Sequence, residues 1–334
     1  MLTKINLESN ENFRKFFDIV FVLILILLLL SGFIGPKNFK IDPPIFNLSL
    51  VSRNFSTTSI AVNKLDKFKK NKNFLSSDQI NDKNVVLEWS KKIMYNVEND
   101  LSIPRMYFPY IPKSISEFES TAKKDVFLSI LLPIALKGNE LVLQERKLMK
   151  TAFSSNNIYK IENLAKKYKV KNFKKINFSN LTALDLSRIK EELLTKINKI
   201  PISMILAQSI IESGWGSSRF ALEGNALFGE WTWKTNVGIK PKGNLDANFA
   251  VKNFKNLLES LNSYILNLNS HTAYYEMRKY RSLKYKTGKK ITGYDTANFL
   301  NKYAEIGFDY VKKIENMIKS NELYRFRKSR LERY

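Results

Sequence analysis

The sequence predicts a mainly α fold of the α+β class with one small β-hairpin, and two observations carry this. Apolar residues recur at helical spacing in separate stretches, from Val86, Trp89, Ile93 and Val97 to Tyr310, Ile314, Met317 and Ile318. Only the interval from Val237 to Phe254 combines Gly and Pro punctuation (Gly238, Pro241, Gly243) with short runs able to form strands. With 334 residues, 44% of them hydrophobic, the chain can bury a sizeable core and still carry an accessory layer.

Residues 1–18 form a short flank. Residues 19–35, IVFVLILILLLLSGFIG, are an unbroken apolar run just long enough to span a bilayer. The expected role is an uncleaved transmembrane anchor. The alternative is a cleaved signal segment, for which Ser31-Gly32-Phe33 is a poor cleavage site. A run without polar spacing argues against a core helix, and the flanking Lys4, Arg14 and Lys15 against Lys37 and Lys40 leave orientation open. Residues 36–84, rich in Asn, Ser, Lys and Pro, read as a flexible linker.

An accessory helical region is expected over 85–180. It opens with a helix from Val85 and breaks at Pro104, Pro109 and Pro112. A helix ending or kinking near Pro133 follows, then one from about Asn139 to Phe153 and one from Tyr159 to Tyr168. The main domain is expected over 181–325. Thr182 with Asp185 has the form of a capping box opening a helix to about Ile197. Phe254, Leu257, Leu258, Leu261, Tyr264, Ile265 and Leu268 make a buried helical face, which is core and not a cofactor site. Residues 326–334 are a basic tail whose default is a solvated end.

Lys and Arg total 55 against 31 acidic residues, a net charge of +24, so an anionic partner or surface is expected. The positive residues are scattered and match no nucleic-acid-binding motif, so no specific nucleic acid is expected. Anionic lipid head groups near the anchor fit the charge, as does an anionic polymer. With no cysteine, disulfides and thiolate metal sites are excluded. The single histidine, His271, supports neither a histidine metal cluster nor a common nucleophilic triad, and reads as a structural or loop residue. No metal and no cofactor are expected.

The richest stretch is PISMILAQSIIESGWGSSRFALEGNALFGEWTW, Pro201 to Trp233. Pro201 suits a first helical turn, Ile202, Ile205, Leu206, Ser209 and Ile210 follow at helical spacing, and Gly214 and Gly216 stop the helix. Glu212 therefore sits in the last turn. There the negative end of the helix dipole and the neighbouring Trp215 indole disfavour ionisation and raise its pKa. A carboxyl kept protonated near neutral pH can act as general acid on a leaving glycosidic oxygen. The following loop carries Glu223, Asn225, Phe228, Glu230, Trp231 and Trp233, whose aromatic, amide and carboxyl groups could form a sugar-binding floor. Trp231 and Trp233 could equally be core, and Glu223 and Glu230 could serve as structural hydrogen-bonding groups.

This stretch, with GIKP, SYILNLNSHTAYYEMR and LNKYAEIGFDYVKKIENMI, resembles the Bax-like branch of the bacterial glucosaminidase superfamily, related to glycoside hydrolase family 73. VFLSILLPIALKGNELVLQERKLM is similar to the helical region preceding the catalytic domain in that branch, so the likeness runs from about Phe118 to about Asn321.

The resemblance implies a lysozyme-like helical catalytic domain with a small β-hairpin beside the cleft. It also implies that Glu212, the glutamate of the A-Q-x-x-x-E-[ST]-x-W-G pattern, is the catalytic acid. Related enzymes often place a second acidic residue on the hairpin, and Asp246 is the only carboxylate in that interval. An inverting mechanism would separate the two carboxyls by roughly 6.5–9.5 Å, and otherwise the substrate's own acetamide could act as nucleophile. In the resembling family a tyrosine near the cleft assists catalysis or holds the glycan. Tyr303 and Tyr310 match its Y-x-x-x-G-x-x-Y pattern, and Tyr310 and Tyr274 are the leading candidates. The substrate-binding candidates are thus Trp215, Glu223, Asn225, Phe228, Trp231, Trp233, Tyr274 and Tyr303. The expected activity is cleavage of the N-acetylglucosaminyl-N-acetylmuramic acid bond of peptidoglycan, with the domain in the periplasm or cell envelope. The alternative is a non-catalytic glycan-binding or scaffold protein of the envelope.

Overall fold

The computed structural model describes residues 73–234, 236, 238–241 and 248–333. The apolar run of residues 19–35 and the hairpin carboxylate Asp246 lie outside the described residues.

The described chain is mainly helical with one small sheet. Its elements are α1 (Ser77–Asn81), α2 (Lys83–Glu98), α3 (Ser120–Ser154), α4 (Ile158–Lys167), α5 (Ala183–Lys196), α6 (Ile202–Ser213) and α7 (Arg219–Gly224), followed by β1 (Trp231–Thr232), β2 (Gly238–Ile239) and β3 (Ala250–Lys252), and then α8 (Leu257–Ser270), α9 (Tyr275–Lys286), α10 (Gly293–Ala297) and α11 (Phe308–Ser320). Helical structure begins inside the segment read as linker, because Ser76 and Gln79 close a capping box that opens α1. The box expected at Thr182 and Asp185 opens α5.

Helix α3 is the central strut and packs against α2, α4, α6 and α8. Among the described residues it is the one helix long and apolar enough to cross a membrane, and 78% of its apolar window is buried inside the protein. The sequence predicts a helix ending or kinking near Pro133 and a further helix from about Asn139; the helix does not end there, and α3 takes in both stretches. Proline cannot donate to the carbonyl four residues back, that of Ser129. The Trp89 indole Nε1 donates to Ser129 O instead, at 3.2 Å, so a side chain of α2 replaces the missing backbone bond. At Gly138 an added Cβ would stand 2.7 Å from Leu261 Cδ2, so this glycine permits the close approach of α3 and α8.

Helix α6 is buried nearly all round, from Ser203 to Ile210, as a helix at the centre of a globular core should be. Its entry is pinned from several directions. Asn139 of α3 accepts from Ile200 N (2.8 Å) and donates to Ile200 O (2.7 Å). Arg281 of α9, fully buried, donates to the carbonyls of Thr195, Lys196, Asn198 and Lys199. Burial pushes the Arg281 guanidinium down to about 9, and four accepting carbonyls give it partners in the interior.

The sheet is antiparallel in the order β1-β3-β2, with Trp231 opposite Val251 and Ile239 also opposite Val251. The expected hairpin is thus β2 with β3, and β1 adds a third strand from the preceding loop. The C-terminal segment is docked, contrary to a solvated tail. Leu323 and Phe326 are buried, Ile103 N donates to Arg330 O (2.8 Å), and Glu332 N donates to Ile103 O (3.0 Å).

Candidate active site

Helix α6 ends where the sequence requires. Gly214 adopts the left-handed conformation, and the N–H groups of Gly214 and Trp215 both point back to Ile210 O. Trp215 is itself left-handed at φ +58°, a conformation costing a β-carbon residue about 1–2 kcal/mol. Its packing holds it there: the indole meets the Phe127 edge at 6.0 Å, and Lys124 Nζ lies 5.4 Å over the ring. Trp215 thus faces α3.

Glu212, in the last turn of α6, is partly buried, and burial raises its pKa. The hydrogen bond from Tyr310 opposes that shift: Tyr310 Oη donates to Glu212 Oε1 at 2.6 Å. Tyr310 also accepts from Gln208 Nε2 (3.1 Å), and Gln208 Oε1 accepts from Tyr264 Oη (2.5 Å). Tyr303 stacks on Tyr310 at 5.3 Å with planes 7° apart and donates to Phe228 O (2.9 Å). Tyr274 lies 6.3 Å from Tyr303, and burial is the largest cause raising the pKa of all four phenols. A cage of four tyrosines therefore backs the carboxyl, each of them electrostatically coupled to it.

The loop after α7 brings Gly229 against the other carboxyl oxygen. Gly229 has φ +60°, and a Cβ there would lie 3.1 Å from Glu212 Oε2. A β-carbon would crowd Oε2, the carboxyl oxygen other than the one that accepts from Tyr310.

The remaining candidates separate. Trp231 and Trp233 are 56% and 52% exposed. Trp231 stacks on Phe249 at 4.6 Å with planes 6° apart, and Trp233 meets the same ring edge-on at 6.4 Å. Phe228 is 2% exposed and stacked on Tyr264 at 4.0 Å, so its ring is core with no face open to a sugar. Glu223 is exposed and paired with Arg219 (3.2 Å). Asn225 caps α7 and donates to Phe254 O (3.0 Å). Glu230 is a buried carboxyl whose Oε2 accepts from Ser263 Oγ (2.7 Å), with Lys252 Nζ at 3.8 Å, so it ties the start of β1 to β3 and α8. Burial raises its pKa and Lys252 opposes the shift. His271 accepts from Ala273 N through Nδ1 (3.2 Å), a turn-capping role that matches its structural reading. Among the described residues, no three or more His, Asp or Glu side chains come together in a group that could hold a metal ion.

Sequence reasoning missed Gln208, Tyr264, Gly229 and Phe249. Gln208 carried a signal, standing one helical turn before Glu212 on the same face. Tyr264 was hidden inside an apolar stripe, and only its hydroxyl marks it as more than core.

A family model described as mannosyl-glycoprotein endo-beta-N-acetylglucosaminidase (Glucosaminidase) matches residues 190–323, which contain Glu212, Gly229 and all four caging tyrosines. The chain is also similar to Protein bax of Escherichia coli (strain K12), at 30% identity over 213 residues, covering 60% of this chain and 71% of that protein. No solved structure matches. A partly buried carboxyl held by a tyrosine at the end of a core helix, within a matched glucosaminidase region of a mainly helical protein, places this chain in the Bax-like branch of the bacterial glucosaminidase superfamily, in the general class of glycoside hydrolases.

Proposed function

We propose that this protein is a membrane-anchored peptidoglycan hydrolase that cleaves the N-acetylglucosaminyl-N-acetylmuramic acid bond, with Glu212 as general acid. The observation that carries the reading is Glu212 itself: burial favours its protonated form, and Tyr310 waits on Oε1 for the carboxylate that proton transfer leaves behind. In the step, the proton of Glu212 passes to the glycosidic oxygen as the bond to the anomeric carbon breaks, the bonding pair going to that oxygen. The Trp231, Phe249 and Trp233 rings offer apolar faces to pyranose rings of the strand. Asp246 is the candidate for the second group, activating water, with the substrate acetamide as the alternative nucleophile. The apolar segment 19–35 would hold the catalytic domain at the inner membrane, facing the periplasm or cell envelope, and the net charge of +24 suits anionic surroundings there. No cofactor takes part in this scheme.

The test is digestion of purified peptidoglycan by the full-length chain, with the new reducing ends converted to alditols and identified by mass spectrometry. N-acetylglucosamine ends are expected. N-acetylmuramic acid ends would assign the other glycosidic bond, and retained glycan binding with no new ends would favour the non-catalytic alternative.

A further inference from the structure

The polar groups behind Glu212 form one directed chain. Tyr264 Oη donates to Gln208 Oε1 (2.5 Å), Gln208 Nε2 donates to Tyr310 Oη (3.1 Å), and Tyr310 Oη donates to Glu212 Oε1 (2.6 Å). Each phenol has a single proton to give. With Gln208 N–H occupying the Tyr310 oxygen, the Tyr310 proton is directed at Glu212. If the amide turned over, its oxygen would take the Tyr310 proton and Glu212 would lose its donor. The proton of Tyr264 on Gln208 Oε1 opposes that turn. Gln208 and Tyr264 are completely buried, so neither can satisfy itself with water.

Taking Glu212 as the general acid, we propose that Gln208 and Tyr264 are positioning residues that fix the direction of this chain. Glu212 Oε1 is thereby the accepting oxygen, and the transferable proton sits on Oε2. Oε2 is the oxygen that Gly229 faces without a β-carbon. On transfer the O–H bond at Oε2 breaks, the proton goes to the leaving oxygen, and the charge left on the carboxylate is met at Oε1 by the Tyr310 hydroxyl. The chain therefore stabilises the product form of the acid, while burial favours the reactant form.

The titratable groups around Glu212 among the described residues are Tyr310 on α11, Tyr303 before it, Tyr264 on α8 and Tyr274 in the turn after α8. Burial raises the pKa of each of them further above the ordinary phenol value, so within the described cage Glu212 is the group that gives up its proton first as pH rises.

The test reads Glu212 directly. The full-length chain is labelled with carboxyl-13C glutamate, the Glu212 resonance is assigned by its loss in Glu212→Gln, and its titration is followed in wild type, Tyr264→Phe and Gln208→Met. Tyr264→Phe removes the proton that holds the Gln208 amide, whose oxygen can then take the Tyr310 proton, and Gln208→Met removes the N–H that aims and polarises the Tyr310 hydroxyl. The Glu212 midpoint should therefore rise in both, by about one pH unit in Tyr264→Phe, the size of one hydrogen bond to a charged group, and by a smaller step in Gln208→Met. The two variants are independent, so loss of folding in one leaves the other to decide. A wild-type midpoint in a folded variant, with only the melting temperature lowered, would overturn the proposal, because packing alone does not aim an O–H bond. The titration needs no turnover. A chain that cleaves no glycan would therefore sink the hydrolase reading without touching this result.

Discussion

Tyr310 Oη lies 2.6 Å from Glu212 Oε1, joining the last α-helix to the end of the core helix α6 across 98 positions of sequence. Two opposed forces act on that carboxyl. Burial, the larger, raises its pKa, and the tyrosine bond lowers it. A carboxyl whose folded pKa stands above its unfolded value stabilises the fold at low pH and loses that contribution as pH rises through the folded value. Glu212→Gln keeps an acceptor for Tyr310 and has no charge to bury. The variant should melt above wild type at pH 7–8, with the gap closing as pH falls to the ordinary glutamate value near 4.5. Calorimetry across that window checks it; a gap that widens toward acid would reverse the sign of the assigned shift.

Gly229→Ala puts a carbon about 3 Å from Glu212 Oε2 and a side chain at φ +60°. The backbone cost is about 1–2 kcal/mol, a modest loss of melting temperature. Activity should fall further, by about 10-fold or more in kcat, because the crowded oxygen is the one assigned to proton transfer. Equal losses of kcat in Gly229→Ala and in a left-handed control such as Asn156→Ala (φ +47°) would point to backbone strain alone.

The exposed Trp231 stacks on Phe249 and contributes little to the main core. Trp231→Ala should leave the melting temperature almost unchanged and raise KM about tenfold, equivalent to about 1.4 kcal/mol of lost contact, with kcat retained. Steady-state kinetics on defined glycan strands reads this split. A large fall in melting temperature with unchanged KM would return Trp231 to a structural role.

Pro133 and Trp89 make a coupled pair through Ser129 O. Trp89→Phe strands a buried carbonyl and should cost about 1–3 kcal/mol beyond the lost packing. In a Pro133→Ala background the backbone N–H can close onto Ser129, and the same substitution should cost measurably less. Denaturant unfolding of the four proteins of the cycle measures the coupling. Strictly additive costs would mean the indole is not replacing the backbone bond.

What could be read beforehand follows from how far apart the determinants lie. The end of α6, its glycine stop and the placement of Glu212 are written in contiguous residues, Pro201 to Gly216, and local helix chemistry suffices to find them. The capping box at Thr182 is equally local. That α3 continues past Pro133 was not legible, because the group that takes up Ser129 O comes from another helix, 40 positions away. Phe228 looked like a sugar platform because aromatic composition does not show which ring faces Tyr264 and which faces solvent. Tyr310 was found through the family pattern, but its bond to Glu212 is a tertiary fact. Gln208 and Tyr264 read as helix and core, since a buried polar relay and an apolar stripe share the same spacing.

The most direct test compares wild type with Glu212→Gln in the release of muropeptides from purified peptidoglycan, followed by mass spectrometry. The account predicts new N-acetylglucosamine reducing ends from wild type and a loss of about 100-fold or more in Glu212→Gln, the usual contribution of a positioned general acid. Release at equal rates by the two proteins would contradict it.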